Sequence, residues 1–158
     1  MEHSFISEDG RQVFVLTSDT LSVEKVTESV SASESGAIAS FCGITRKYNH
    51  GKEVKFLEYE SYFAMALSEL RKLAEEIRSH WKVEGISIWH RLGRVGVGEI
   101  SVVIAVSSVH RKEALEACHF AIDQLKARVP IWKKEYFVNS EPEWRQNSEF
   151  QSCRTFAE

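Results

Sequence analysis

The chain has 158 residues, 43% of them hydrophobic and 27% charged, an ordinary globular balance with enough length for one compact core. A net charge of -3 excludes a globally basic nucleic-acid surface, so any anion site has to be a local cluster. No apolar run reaches the ~18 residues of a membrane helix, and the polar residues 1–9 lack the apolar region of a signal peptide, so a cytoplasmic protein is expected.

In chain order, residues 13–16 form a short apolar run and read as a strand. Residues 22–30 place Val23, Val26 and Val30 at helical spacing behind a capping Ser22. A polar loop at 31–35 leads into 36–44, an apolar, small-residue run that fits a strand. Residues 46–52 read as a loop that ends in Asn49-His50-Gly51, and 54–60 as a strand. The clearest helix covers 63–81. Phe63, Ala66, Leu67, Leu70, Leu73, Ala74, Ile77 and Trp81 make one apolar stripe, and charged residues cover the rest.

Residues 85–89 and 100–106 are β-branched strands, with 94–98 as the turn of a hairpin between them. Residues 111–129 predict a second helix whose stripe is Leu115, Cys118, Ile122, Leu125 and Val129, ended by Pro130. A last strand follows at 131–138, and then a polar tail anchored by Trp144. The order β-α-β-β-α-β-β-α-β sets helices between hairpins. It predicts an α+β fold with mostly antiparallel sheets and two main helices.

The sharpest chemical feature lies between Lys126 and Lys134, where Lys126, Arg128, Lys133 and Lys134 put four cations into nine residues with no acid before Glu135. Cations at a helix C-terminus are favoured by the helix dipole alone. This cluster, however, continues past the helix, with Pro130-Ile131-Trp132 as an apolar wall inside it. A lysine crowded by cations and partly desolvated favours its neutral form and can act as a base or nucleophile.

Ser107-Ser108-Val109-His110-Arg111 brings hydroxyls, an imidazole and a guanidinium to a helix N-terminus, either an anion site or an ordinary serine cap. Arg46, where a strand opens into a loop, fits a phosphate ligand or a plain surface arginine. His90 alternates with strand residues and reads as structural. Cys42, Cys118 and Cys153 are far apart and form no CxxC pair, so reduced thiols are expected rather than a zinc site. No metal-ligand pair, Walker loop or dinucleotide fingerprint is present, and no cofactor is expected.

At these residues the sequence resembles one family. The ordered set is Phe41-x-Gly43-x-x-Arg46, then Leu57-Glu58-Tyr59-Glu60 with Met65-Ala66, then His90-Arg91-x-Gly93 with Gly98-Glu99. Ser108-x-His110-Arg111, Asp123-x-Leu125-Lys126 and Pro130-Ile131-Trp132-Lys133-Lys134-Glu135 complete it. In this order and spacing it looks like the molybdopterin synthase catalytic subunit family across roughly 36–144, within one domain expected to span 1–158, of which 1–35 and 145–158 carry no motif. Cys42 stands where a valine is usual, and Ala64 where a proline is common.

The resemblance implies a single α/β-hammerhead domain and a homodimer flanked by two small ubiquitin-like sulfur-carrier subunits, together a heterotetramer. The carrier's C-terminal Gly-Gly thiocarboxylate would enter the large subunit's pocket. The implied reaction is sulfur transfer to cyclic pyranopterin monophosphate, giving the dithiolene of molybdopterin. By position Lys126 and Lys133 are the catalytic pair, while Arg46, His110 and Arg111 hold the phosphate, with part of a pocket able to come from the neighbouring chain. Two other functions stand beside this one: a non-catalytic module that docks an acidic tail, and a persulfide sulfurtransferase using Cys42 or Cys118.

Overall fold

The computed structural model describes residues 1–145. Two sheets divide the work of building a core and building a cavity. The first takes strands β1 (Glu2–Ile6), β2 (Gln12–Thr17), β3 (Ala37–Ile44), β6 (Gly85–Arg91) and β8 (Ile100–Ser108), in the order β1-β2-β6-β8-β3. Only the β2–β6 pairing in it is parallel. Its centre is covered on both faces, which is why β8 reads as an unbroken apolar run rather than an alternation.

Successive side chains of β8 go to opposite cores. Val102, Ile104 and Val106 meet the two long helices, α2 (Phe63–His80) and α3 (Arg111–Arg128). Val103 and Ala105 meet Val26 and Val30 at the short helix α1 (Val23–Glu28). Ser22 caps α1 through a bond accepted from the Lys25 amide. Gly85 opens β6 because a Cβ there would come within 2.9 Å of the Val30 backbone.

The α2 stripe is buried as its periodicity predicts, with Ala66, Leu70, Leu73, Ala74 and Ile77 inward. In α3 the buried face is set by Ala114, Ala117 and Ala121 alongside Cys118, Ile122 and Leu125. Leu115, expected in the stripe, is 59% exposed. Three alanines let the helix close onto β3 and β8, and their small side chains give a weak apolar signal.

The second sheet runs β10-β9-β5-β4, from β10 (Glu143–Arg145), β9 (Ile131–Phe137), β5 (Lys52–Ser61) and β4 (Tyr48–Asn49). Strand β7 (Gly93–Gly96) also pairs with β5. The strands at 85–91 and 100–108 do pair antiparallel, as the hairpin reading requires. Their connection is more than a turn, because β7 crosses to the second sheet and buries Val95 opposite Leu57.

The 46–52 loop contains a tight hairpin. His50 and Gly51 both have positive φ, 48° and 75°, the backbone of a two-residue type I′ turn, and this sets Asn49 against Lys52. A bulge between Val54 and Phe56 then lets Val54, Leu57 and Tyr59 share one face of β5. Strand β1 was not expected. Its burial alternates at a sheet edge, where a polar pattern gives little signal. Trp144, expected as an anchor, is 55% exposed on β10. Among the described residues no helix is long and apolar enough to cross a membrane.

Candidate functional site

Between the two sheets, at the C-terminal end of α3, lies a cavity of about 450 Å³, within the size range of small-molecule sites. Its apolar lining comes from Phe41, Leu57, Val102, Ile122, Leu125, Val129 and Ile131. Among the described residues its charged groups are Arg46, Lys126, Lys133 and Arg145 against a single carboxylate, Glu135. Four cations facing one acid, in a space partly closed to water, make a strong local field for an anion.

The pleat of β9 explains which cations arrive. Ile131, Lys133 and Glu135 alternate onto the cavity side, while Trp132, Lys134 and Tyr136 take the other. The Lys134 amine lies over the Tyr136 and Trp144 rings, at 5.3 and 5.4 Å. Arg128 also leaves the cluster, pairing with Glu76 of α2 at 2.7 Å. The expected crowding of Lys126 by Arg128 is therefore corrected: that guanidinium is neutralised on the helix–helix face. Lys126 is itself exposed at the helix end and lines the cavity beside Leu125.

Glu135 is 1% exposed and holds the charged groups in place. Asn49 donates to its two oxygens at 2.8 and 3.0 Å. Lys133 pairs with it at 3.4 Å and Arg145 at 3.1 Å. Arg46 in turn donates to the Asn49 carbonyl at 3.4 Å. Sequence reasoning missed Asn49, Tyr59 and Arg145, and treated Glu135 only as the end of a basic run. The available signal was the shared parity of Ile131, Lys133 and Glu135, which puts that acid on the lysine's face.

The floor is made by Tyr59, His90 and Ser101. The Tyr59 ring meets His90 edge-on at 4.9 Å, and burial holds its phenol above the ordinary value. His90 is buried and held by the backbone: its Nδ1 donates to the Arg91 carbonyl at 2.8 Å, and burial pushes its pKa down to about 4. The unfolded chain gains this proton near pH 6.5, whereas the native state resists until about 4. His90 therefore contributes stability that is full above the unfolded value and is lost as pH falls between the two. Urea midpoints against pH should show this acid slope, and His90→Gln should flatten it; identical slopes in both proteins would refute the assignment.

His110 and Arg111 lie elsewhere. With Gly36, Val109 and Lys112 they line an open hollow at the N-terminus of α3, where Ser108 donates to the His110 carbonyl. Lys126 follows Arg111 by 15 positions along α3, about 22 Å of helix at 1.5 Å per residue. Within one chain the structure thus brings together Arg46, Lys126 and Lys133, and does not bring His110 and Arg111 to them.

Of the cysteines, Cys118 is buried on α3, and burial, with Cys42 nearby, pushes its thiol up to about 11. It is a core thiol, not a ready nucleophile. Cys42 is half-buried at the cavity wall, and Cys153 lies outside the described residues. No group of metal-holding side chains occurs among the described residues.

An α+β scaffold that presents lysines and arginines into a cavity of small-molecule size defines an enzyme-type site. Comparison with known proteins narrows this class. The family model described as MoaE protein matches residues 16–128. The molybdopterin synthase catalytic subunit of Bos taurus is 48% identical over 144 residues, spanning 91% of this chain and 76% of that protein. Molybdopterin synthase catalytic subunit 1 of Aedes aegypti is 51% identical over 137 residues, 85% of this chain and 88% of its own.

Among solved structures, molybdopterin synthase from Staphylococcus aureus matches with a TM-score of 0.78 at 36% identity, covering 82% of this chain and 94% of that one. A complex of subunits 1 and 2 of the molybdopterin-converting factor from Helicobacter pylori shares the fold, with a TM-score of 0.71 at 24% identity over 85% of this chain and 91% of that one. The chain belongs to the MoaE protein family, the molybdopterin synthase catalytic subunits, and is an enzyme of molybdenum cofactor biosynthesis.

Proposed function

We propose that the cavity takes a thiocarboxylate from the C-terminal Gly-Gly tail of a small ubiquitin-like carrier and transfers its sulfur to cyclic pyranopterin monophosphate. The observation that carries this is the convergence of Arg46, Lys126 and Lys133 on one cavity. Thiocarboxylate and phosphate are both anions, and holding them side by side requires several fixed cations. Lys126 and Lys133 are the groups placed to move protons as sulfur adds to the pterin side chain. The cysteines have no part in the transfer, because the sulfur arrives on the carrier.

Arg46 holds the phosphate end from within the chain. His110 and Arg111 complete that subsite only if a second copy supplies them, so the active form is a homodimer whose cavities each receive one carrier. The complex of two subunits in the Helicobacter pylori protein is consistent with such a partner.

The purified chain should run as a dimer and turn over no pterin by itself. Adding a thiocarboxylated carrier should start turnover. Comparable rates with the pure chain and free sulfide would refute the carrier-dependent mechanism.

A further inference from the structure

Asn49 stands between the group assigned to hold the anion and the groups assigned to do chemistry. It is part-buried on β4, fixed there by the two-residue turn at His50 and Gly51. Its carbonyl accepts from Arg46 at 3.4 Å, and its amide donates to both oxygens of Glu135 at 2.8 and 3.0 Å. Glu135 is at the same time the ion-pair partner of Lys133 at 3.4 Å.

A guanidinium only donates and a carboxylate only accepts. The group joining them has to accept on one side and donate on the other. A primary amide does both while adding no charge beside the buried carboxylate. A lysine or aspartate at this position would satisfy one neighbour and repel the other. The remaining charged groups around Asn49 are Lys52 across the hairpin and Arg145 and Glu143 on β10.

We propose that Asn49 is a positioning residue of the sulfur-transfer reaction, which sets Arg46 for the substrate anion and links it through Glu135 to Lys133. This inference rests on the site assignment made above. The link means that movement of the Arg46 side chain toward an incoming phosphate is felt at the carboxylate that pairs with Lys133. Loss of the link separates binding from chemistry.

The test uses the assembled enzyme with a thiocarboxylated carrier, measuring kcat and KM for the pterin phosphate across pH. Asn49→Ala should raise KM about tenfold, the loss expected for a hydrogen bond to a charged group. In an Arg46→Ala background the same change should add nothing further to KM. Asn49→Asp discriminates most sharply. Its carboxylate repels Glu135 at neutral pH, and two carboxylates in one site raise the pKa of one of them. Once protonated, the aspartic acid donates to Glu135 and accepts from Arg46, restoring both bonds.

The kcat/KM of Asn49→Asp relative to the unmodified enzyme should therefore climb as pH falls from about 8 to about 6. A merely structural role gives a ratio that is flat with pH. A flat ratio, or an unchanged KM in Asn49→Ala, overturns the inference. If Asn49→Asp does not fold, the KM of Asn49→Ala decides alone. Arg46→Ala and Lys133→Ala are run alongside: if both keep full kcat/KM, the site assignment falls and takes this inference with it. If they lose activity while the Asn49 variants do not, only the role of Asn49 is overturned.

Discussion

Replacing Lys126 by Ala should lower kcat by about a hundred- to ten-thousand-fold, the range contributed by a positioned acid–base group. The side chain projects from the last turn of α3 and lines the cavity, on the same helix whose Ile122 and Leu125 form its wall. It is exposed, so its truncation removes little core packing, and the thermal midpoint should move by no more than a surface substitution does. A folded, carrier-binding and inactive protein is the expected product.

The opposite pattern would mark a persulfide enzyme. Cys118 is buried with its thiol pushed up to about 11, so it stays protonated at neutral pH. Cys42 does reach the cavity wall, which makes it the cysteine to test. A variant lacking Cys42, Cys118 and Cys153 should keep its chemistry while losing some stability at the packed Cys118 site. If that variant is folded and inactive while Lys126→Ala still turns over, lysine-assisted transfer is wrong.

What the sequence shows of this molecule depends on how local each feature is. The α2 stripe is legible because five buried positions repeat at helical spacing within 18 residues. Strands β4, β7 and β10 are not, since at 2, 4 and 3 residues they are too short to show an alternation, and β7 pairs with a strand far away in sequence. The basic run at 126–134 leads to the cavity, yet its four cations separate in space. The pleat sends Lys134 to the aromatic outer face, and α2 takes Arg128 through Glu76.

Arg46 joins the cavity from some 80 positions earlier in the chain, a juxtaposition that family resemblance supplied and composition did not. Asn49 and Arg145 had no signal of their own: each gains its meaning from Glu135, and Glu135 gains its own from burial. The distance from His110 and Arg111 to Lys126 was legible, because a helix predicted over 111–129 already places the two motifs at its opposite ends.

Glu135 should be the most costly residue of the site to remove. Its carboxylate is 1% exposed and is shared by Asn49, Lys133 and Arg145. Glu135→Ala leaves two cations and an amide facing one another with no acceptor between them. Breaking a buried pair from one side costs about 3–5 kcal/mol, and the lower end applies because Lys133 and Arg145 are 35% and 31% exposed and can turn to water. For a chain of this length that is a fall of roughly 6–12 °C in the thermal midpoint.

Glu135→Gln separates charge from shape. The glutamine fills the same space and still accepts from Asn49, so most of the stability returns. It no longer neutralises the lysine, and its own amide points donors at two cations. Activity should therefore stay low in Glu135→Gln although the fold recovers, and raising the salt concentration should not restore it, since the interactions are buried and weakly screened. Recovery of both stability and kcat in Glu135→Gln would show that Glu135 is held for packing alone, and that Lys133 does not depend on a charged neighbour to be placed.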